Sequence, residues 1–264
     1  MQLLHRIALG GTELDSVDSK ILIGSVSTGS PRETEITGQR GGNGTRFVRK
    51  RRDSIEVSVS AGIRTDRTEM SDRETVIEKV NKWAANLPGW LTTNQKPGRR
   101  MRVESVTLPA AGDPAEWTNK YTWTFKANCV PYWQDTTATT ASIATTDSGS
   151  GSITIPGNTE TVINAEIKNE GESDIDDIAI RIGTDSIFTF SALGLGAGKK
   201  LIISHGDDGI LSIRKEISDG TTSVLNKRTA DSSNDLKAKP GIKILTITTS
   251  GTISAVISCF GRYL

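Results

Sequence analysis

From Ser19 onward, apolar and polar positions alternate more often than apolar ones recur every third or fourth residue. The segments SKILIGSVS (19–27), DSIEVSVSAGI (53–63), RRMRVESVTLP (99–109) and NKYTWTFKANCV (119–130) carry β-branched and aromatic side chains in near-alternation, the period of half-buried strands. One segment breaks this period. In SDRETVIEKVNKWAANLPG, which begins at Ser71, apolar side chains fall at Val76, Ile77, Val80, Trp83, Ala84 and Leu87, one stripe of a 3.6-residue helix. Ser71 and Glu74 have the S-x-x-E spacing that satisfies free amides of a first turn, and Pro88-Gly89 stops the helix, so the pattern predicts one over about 71–87. At 1.5 Å per residue it is roughly 24 Å long. That is enough for Val76, Ile77, Val80, Trp83 and Leu87 to cover one side of a sheet.

Between two of the strands lies PRETEITGQRGGNGTRFVRKRR (31–52). Gly41-Gly42-Asn43-Gly44 supplies the positive-φ positions of a hairpin tip. A two-stranded ribbon is barely stable alone, so a hairpin of this length predicts an arm that reaches a neighbouring subunit. Its contact residues are Gly41, Gly42 and Gly44 at the tip and Arg49, Lys50, Arg51 and Arg52 at the base. The basic run reads in three ways: an exposed base that discourages edge-to-edge pairing, or a steering patch for either an acidic protein or a nucleic acid.

After KANCVPYWQD (126–135) the chain turns small and polar, through TTATTASIATTDSGSG, and then alternates strand-like runs with turn chemistry. Asp208-Gly209 and Asp219-Gly220 are hairpin signals, and Pro240-Gly241 suits the centre of a type II turn. Strands at this spacing predict a second all-β sandwich or jelly roll. The fold class is therefore mainly β, with two β-sandwich domains. Residues 1–134 carry the single packed helix and the hairpin arm, and 135–264 form the second sandwich after a small-residue joining stretch near 135–151. Pro131, Tyr132 and Trp133 stand at the domain junction.

Charge and chemistry narrow the function. Residues 1–134 hold 20 Lys+Arg against 15 Asp+Glu and residues 135–264 hold 12 against 16, about +5 and −4. That balance is too weak for a dedicated nucleic-acid binder. Cys129 and Cys259 have no neighbours at metal-ligand spacing and read as buried thiols rather than a disulfide. His5 and His205 stand apart from cysteines and paired carboxylates. GLGAGKK (194–200) departs from a phosphate loop, with Leu193 and Lys200 where glycine and Ser/Thr are needed, and reads as a turn. Asp174, Asp176 and Asp177 lack calcium-loop spacing. No catalytic, metal or cofactor set is visible, and no stretch approaches the roughly 18 apolar residues of a membrane span.

In order and spacing, FVRKRRDSIEVSVSAG, RETVIEKVNKWAANL, VPYWQD, LGAGKKLIISHGDDGILSI and LKAKPGIKILTI together resemble the distal tail proteins of long-tailed phages that infect Gram-positive bacteria. The resemblance spans nearly the whole chain. It implies a structural virion protein at the tail tip, made in the bacterial cytoplasm, with no enzymatic activity and no cofactor. Six copies would form a hub ring through the N-terminal domain, and the C-terminal sandwich would be galectin-like. The implied partners are the tail tube protein, a tail-tip lysin or fibre-like hub protein, and receptor-binding or baseplate proteins, with DNA passing unbound through the lumen. Tyr132 and Trp133 would pack the domain junction. A carbohydrate-binding or adhesin-like two-module protein is the alternative reading.

Overall fold

The computed structural model describes residues 5–30, 32–40, 45–64, 70–85, 87, 89–108, 120–207 and 209–264. The chain divides into two compact units, Met1–Gln134 with Leu264, and Asp135–Tyr263. Both are mainly β.

In the first unit, β1 (Ile7–Leu9) and β2 (Thr12–Glu13) precede a one-turn α1 (Leu14–Val17). Then come β3 (Ile21–Thr28), β4 (Glu33–Arg40), β5 (Thr45–Arg52), β6 (Ile55–Arg64), α2 (Met70–Ala84), β7 (Gly89–Thr93), β8 (Arg99–Thr107) and β9 (Lys120–Cys129). The strand β10 (Trp133–Asp135) carries the chain into the second unit. The main sheet runs β2-β1-β7-β8-β9-β6-β3, all antiparallel, with β6 and β9 paired over ten residues from Ile55↔Cys129 to Arg64↔Lys120. Its β3 edge is bulged at Gly24, which twists an open edge away from chance pairing. Val57, Val59, Leu91, Met101, Val103 and Phe125 are fully buried in its core.

The helix ends three residues before the predicted stop. Ala85 N–H still donates to Asn81 O, but Leu87 N–H turns back to Ala85 O. A residue before proline is driven out of the α region, so Leu87, followed by Pro88, cannot continue the helix. It lies beyond its end, half-buried.

The second unit contains β11 (Thr139–Thr145), β12 (Ser148–Ile155), β13 (Thr161–Asn169), β14 (Ile178–Ile182), β15 (Ser186–Phe190) and β16 (Lys200–His205). These are followed by β17 (Leu211–Ile217), β18 (Gly220–Ser223), β19 (Lys237–Ala238), β20 (Gly241–Thr249), β21 (Ile253–Cys259) and β22 (Arg262–Tyr263). One sheet runs β11-β21-β13-β16-β17-β18 and the other β12-β20-β14-β15. Inward residues of both, among them Ile163, Ile167, Ile180, Phe188, Phe190, Leu201, Ile247 and Ile257, form one apolar core. Gly241 has φ +112°, the positive value a type II turn needs after Pro240.

The small-residue stretch predicted to join the domains is strand over most of its length. Residues 139–145 and 148–155 form β11 and β12, paired residue by residue with β21 and β20. The glycines have a packing reason. A Cβ at Gly149 would lie 2.9 Å from both Ile143 Cγ2 and Thr145 Cβ, so only a bare backbone lets β12 lie against β11.

Candidate functional site

The arm takes its form from its own ladder. The strands β4 and β5 pair over eight residues, Glu33↔Arg52 to Arg40↔Thr45, and among the described residues they join no third strand. At 3.4 Å per residue the ribbon is about 27 Å long. The register sets Glu33 opposite Arg52 and Glu35 opposite Lys50, while Arg49 faces Ile36 and Arg51 faces Thr34 across the ladder. Asp53 N–H donates to Arg32 O at 2.9 Å and closes the base. The tip residues Gly41, Gly42 and Gly44 lie outside the described residues, as does the capping contact proposed for Ser71.

Helix α2 places its apolar stripe inward: Val76, Ile77, Val80, Trp83 and Ala84 are all buried. Trp83 meets Phe125 with ring centroids 5.5 Å apart, tilted by 59°, and its Nε1–H donates to Thr12 O at 2.8 Å. Lys79 Nζ donates to Asp18 Oδ2 at 2.8 Å and ties the helix to the turn after α1. That hydrogen bond, with one from the Lys20 amide, outweighs burial and holds the Asp18 carboxyl below the usual carboxylate range.

At the junction, Pro131 and Tyr132 are half-buried and Trp133 is 2% exposed. The Lys96 ammonium sits 5.2 Å from the Trp133 ring centroid. Val130 N–H donates to Arg102 O, and Tyr132 N–H turns back to Val130 O, so the chain bends at Pro131 before β10 begins.

The residues weighed for chemistry are dispersed. Cys129 and Cys259 are free and buried. Asp176 accepts the Gly194 amide at 3.0 Å, and the glycines of residues 194–198 turn the chain toward β16. His205 is interior, where its Nε2 donates to Asp235 Oδ1 at 2.5 Å and its Nδ1 lies 3.2 Å from Asn164 Oδ1. Lys237 Nζ holds the other Asp235 oxygen at 2.9 Å. Burial pushes the Asp235 carboxyl up, but the His205 and Lys237 hydrogen bonds win and hold it low. Among the described residues no group of three or more His, Cys, Asp and Glu could hold a metal ion. What the sequence did not signal is a recess lined by Ile210, Leu211 and residues from Leu225 to Asn234. Neither periodicity nor turn chemistry shows that these two segments meet.

No protein-family profile matches the chain, and no curated protein matches it in sequence. Solved structures do match it in fold. One is the Dit protein (gp 19.1) of phage SPP1, described as a paradigm of the hub adsorption apparatus in phages infecting Gram-positive bacteria. It has a TM-score of 0.66 and 15% identity over 98% of this chain and 99% of that one. A chain of the phage P2 baseplate in its activated conformation with calcium has a TM-score of 0.55 and 8% identity over 98% of each chain. Its counterpart with strontium has 0.54 and 8% over 97% of each. Over nearly its whole length, this chain carries the fold of the SPP1 hub protein and of a phage baseplate component.

Proposed function

We propose that the chain is a structural distal tail protein, the hub component at the tip of a long-tailed phage. The observation that carries this reading is the fold likeness to the SPP1 Dit protein across 98% of this chain and 99% of that one. A shared module would match one unit; this match takes in both.

In this reading residues 1–134 form a ring of six copies, and the ribbon 31–52 is the subunit-contact arm, with Gly41, Gly42 and Gly44 at its tip and Arg49 to Arg52 at its base. Two faces of an eight-pair ribbon cannot bury enough surface by themselves, so a neighbouring copy supplies the missing cover. Pro131, Tyr132 and Trp133 anchor the junction, and residues 135–264 form the outward sandwich that docks receptor-binding or baseplate proteins. The ring joins the tail tube protein to a tail-tip lysin or fibre-like hub protein, leaves a lumen through which DNA passes unbound, and catalyses nothing. The protein is made in the host cytoplasm and ends in the virion.

Light scattering on the purified chain tests this directly. The expected mass is about 170 kDa, six times the 28.4 kDa chain, with six-fold rings in negative-stain images. A strict monomer at every concentration rejects the ring.

A further inference from the structure

We propose that the recess beside the start of β17 binds a segment of a partner protein that presents an apolar side chain next to a carboxylate. The recess has a volume of about 500 Å³ and is lined chiefly by Ile210, Leu211, Leu225, Arg228, Thr229 and Asn234. That volume lies within the range of ligand sites.

Three features set its chemistry. Ile210 is 67% and Leu225 50% exposed. One such side chain on a surface is ordinary, but two lining one concavity leave apolar area that an occupant would cover. Among the described lining residues the one charged side chain is Arg228, whose guanidinium carbon stands 4.7 Å from the centroid of the buried Phe188 ring, with Nη1 donating to Asn234 O at 3.4 Å. Among the described residues no carboxylate pairs with it. A guanidinium has five N–H donors in a fixed fork that matches a carboxylate, so most of its capacity is unspent.

The wall is also pre-formed, which lowers the ordering cost of binding. Thr229 N–H donates to Thr189 O and Ser233 N–H to Ile187 O, lacing the loop to β15. The hydroxyls of Ser232 and Ser233 accept from the Thr189 and Ile187 amides, and Asp235 locks the far end to His205.

Charge complementarity selects the occupant. A purely apolar or cationic segment would strip water from Arg228 without pairing it, which is costly. A saccharide would find no aromatic face among the lining residues to stack on. A peptide with an apolar side chain beside a carboxylate satisfies both the rim and the fork. This inference deepens the docking role proposed for residues 135–264, and it is separable from the ring, which the mass measurement tests alone.

The experiment uses the full chain labelled at isoleucine and leucine methyl groups, titrated with N-acetyl-L-leucine and, separately, with its neutral amide. The expected result is saturable shifts at the Ile210 and Leu225 methyls in the millimolar range, with the amide binding about fivefold more weakly because it lacks the charge-assisted pair. Arg228→Gln should remove the preference for the acid. Leu225→Ser, at an exposed position that leaves the core intact, should weaken both probes. Absence of saturable shifts with the acid, or equal affinity for acid and amide in the unaltered chain, overturns the proposal.

Discussion

Trp83 joins three parts of the first unit through one side chain: helix α2 carries it, β9 meets its ring through Phe125, and the Thr12 carbonyl accepts a hydrogen bond from its indole N–H. At 4% exposed it has little room to relax, so Trp83→Ala should cost about 3–5 kcal/mol in urea unfolding. Trp83→Phe keeps an aromatic ring against Phe125 but loses the pyrrole ring and its Nε1–H hydrogen bond, so a smaller cost of about 1–3 kcal/mol is expected. An alanine variant as stable as the parent would remove Trp83 from the core. The cysteines give a second test at this scale. Burial, aided by Glu104, pushes the Cys129 thiol up to about 12; burial, aided by Asp135, pushes Cys259 to about 11. The thiolate is the reactive form. Neither should react with a disulfide reagent at pH 8 until denaturant is added, when both should titrate; rapid labelling of native protein contradicts the burial argument.

At the scale of elements, the ribbon β4–β5 and the pair β11–β12 make opposite predictions. Deleting residues 38–45 removes the outer part of a ribbon that joins no other strand among the described residues. On the proposed function, it should convert the proposed ring to monomers without lowering the melting temperature. Intact rings after deletion would reject the arm as the subunit contact. High salt should weaken the proposed arm contact, since the Debye length shrinks to about 3 Å at 1 M. Gly149→Ala, by contrast, should leave the oligomer alone and destabilise the second unit by about 1–3 kcal/mol, because its Cβ would press on Ile143 and Thr145. Calorimetry separates the two effects.

For the whole molecule, the titration signs agree. Asp18, Asp185 and Asp235 all have carboxyls held below their ordinary value of 3.8. A depressed folded pKa contributes stability that is present above the unfolded value and lost as pH falls through the folded one. The melting temperature should therefore drop on acidification below about pH 4, and Asp18→Asn should flatten part of that slope by removing the link to Lys79. An unchanged slope would make that ion pair energetically silent. Sugar binding by aromatic stacking is not expected of residues 135–264. They contain no tryptophan, Phe188 and Phe190 are fully buried, and the other two aromatics, Phe260 and Tyr263, are half-buried, the Tyr263 hydroxyl donating to Asp135 Oδ2. A calorimetric titration of the chain with cell-wall polysaccharide should show no saturable binding at micromolar levels; such binding would refute this.

By itself the sequence determined what depends on neighbours along the chain. Alternation marked β3, β6, β8 and β9 to within about two residues, the 3.6-residue stripe marked α2, and Pro240-Gly241 marked a turn, because local period and local φ preference act within a few residues. The resemblance in order and spacing points to the architecture whose fold the structure displays. Tertiary structure alone decided the rest. The strand order β2-β1-β7-β8-β9-β6-β3 and the pairing of β13 with β21 join segments far apart in sequence. Which distant edges meet depends on shared burial that no local pattern encodes. The same reason turned a glycine-serine stretch that reads as a linker into strand β12, and brought Ile210 and Arg228 to one recess although neither segment carries a signal of the other.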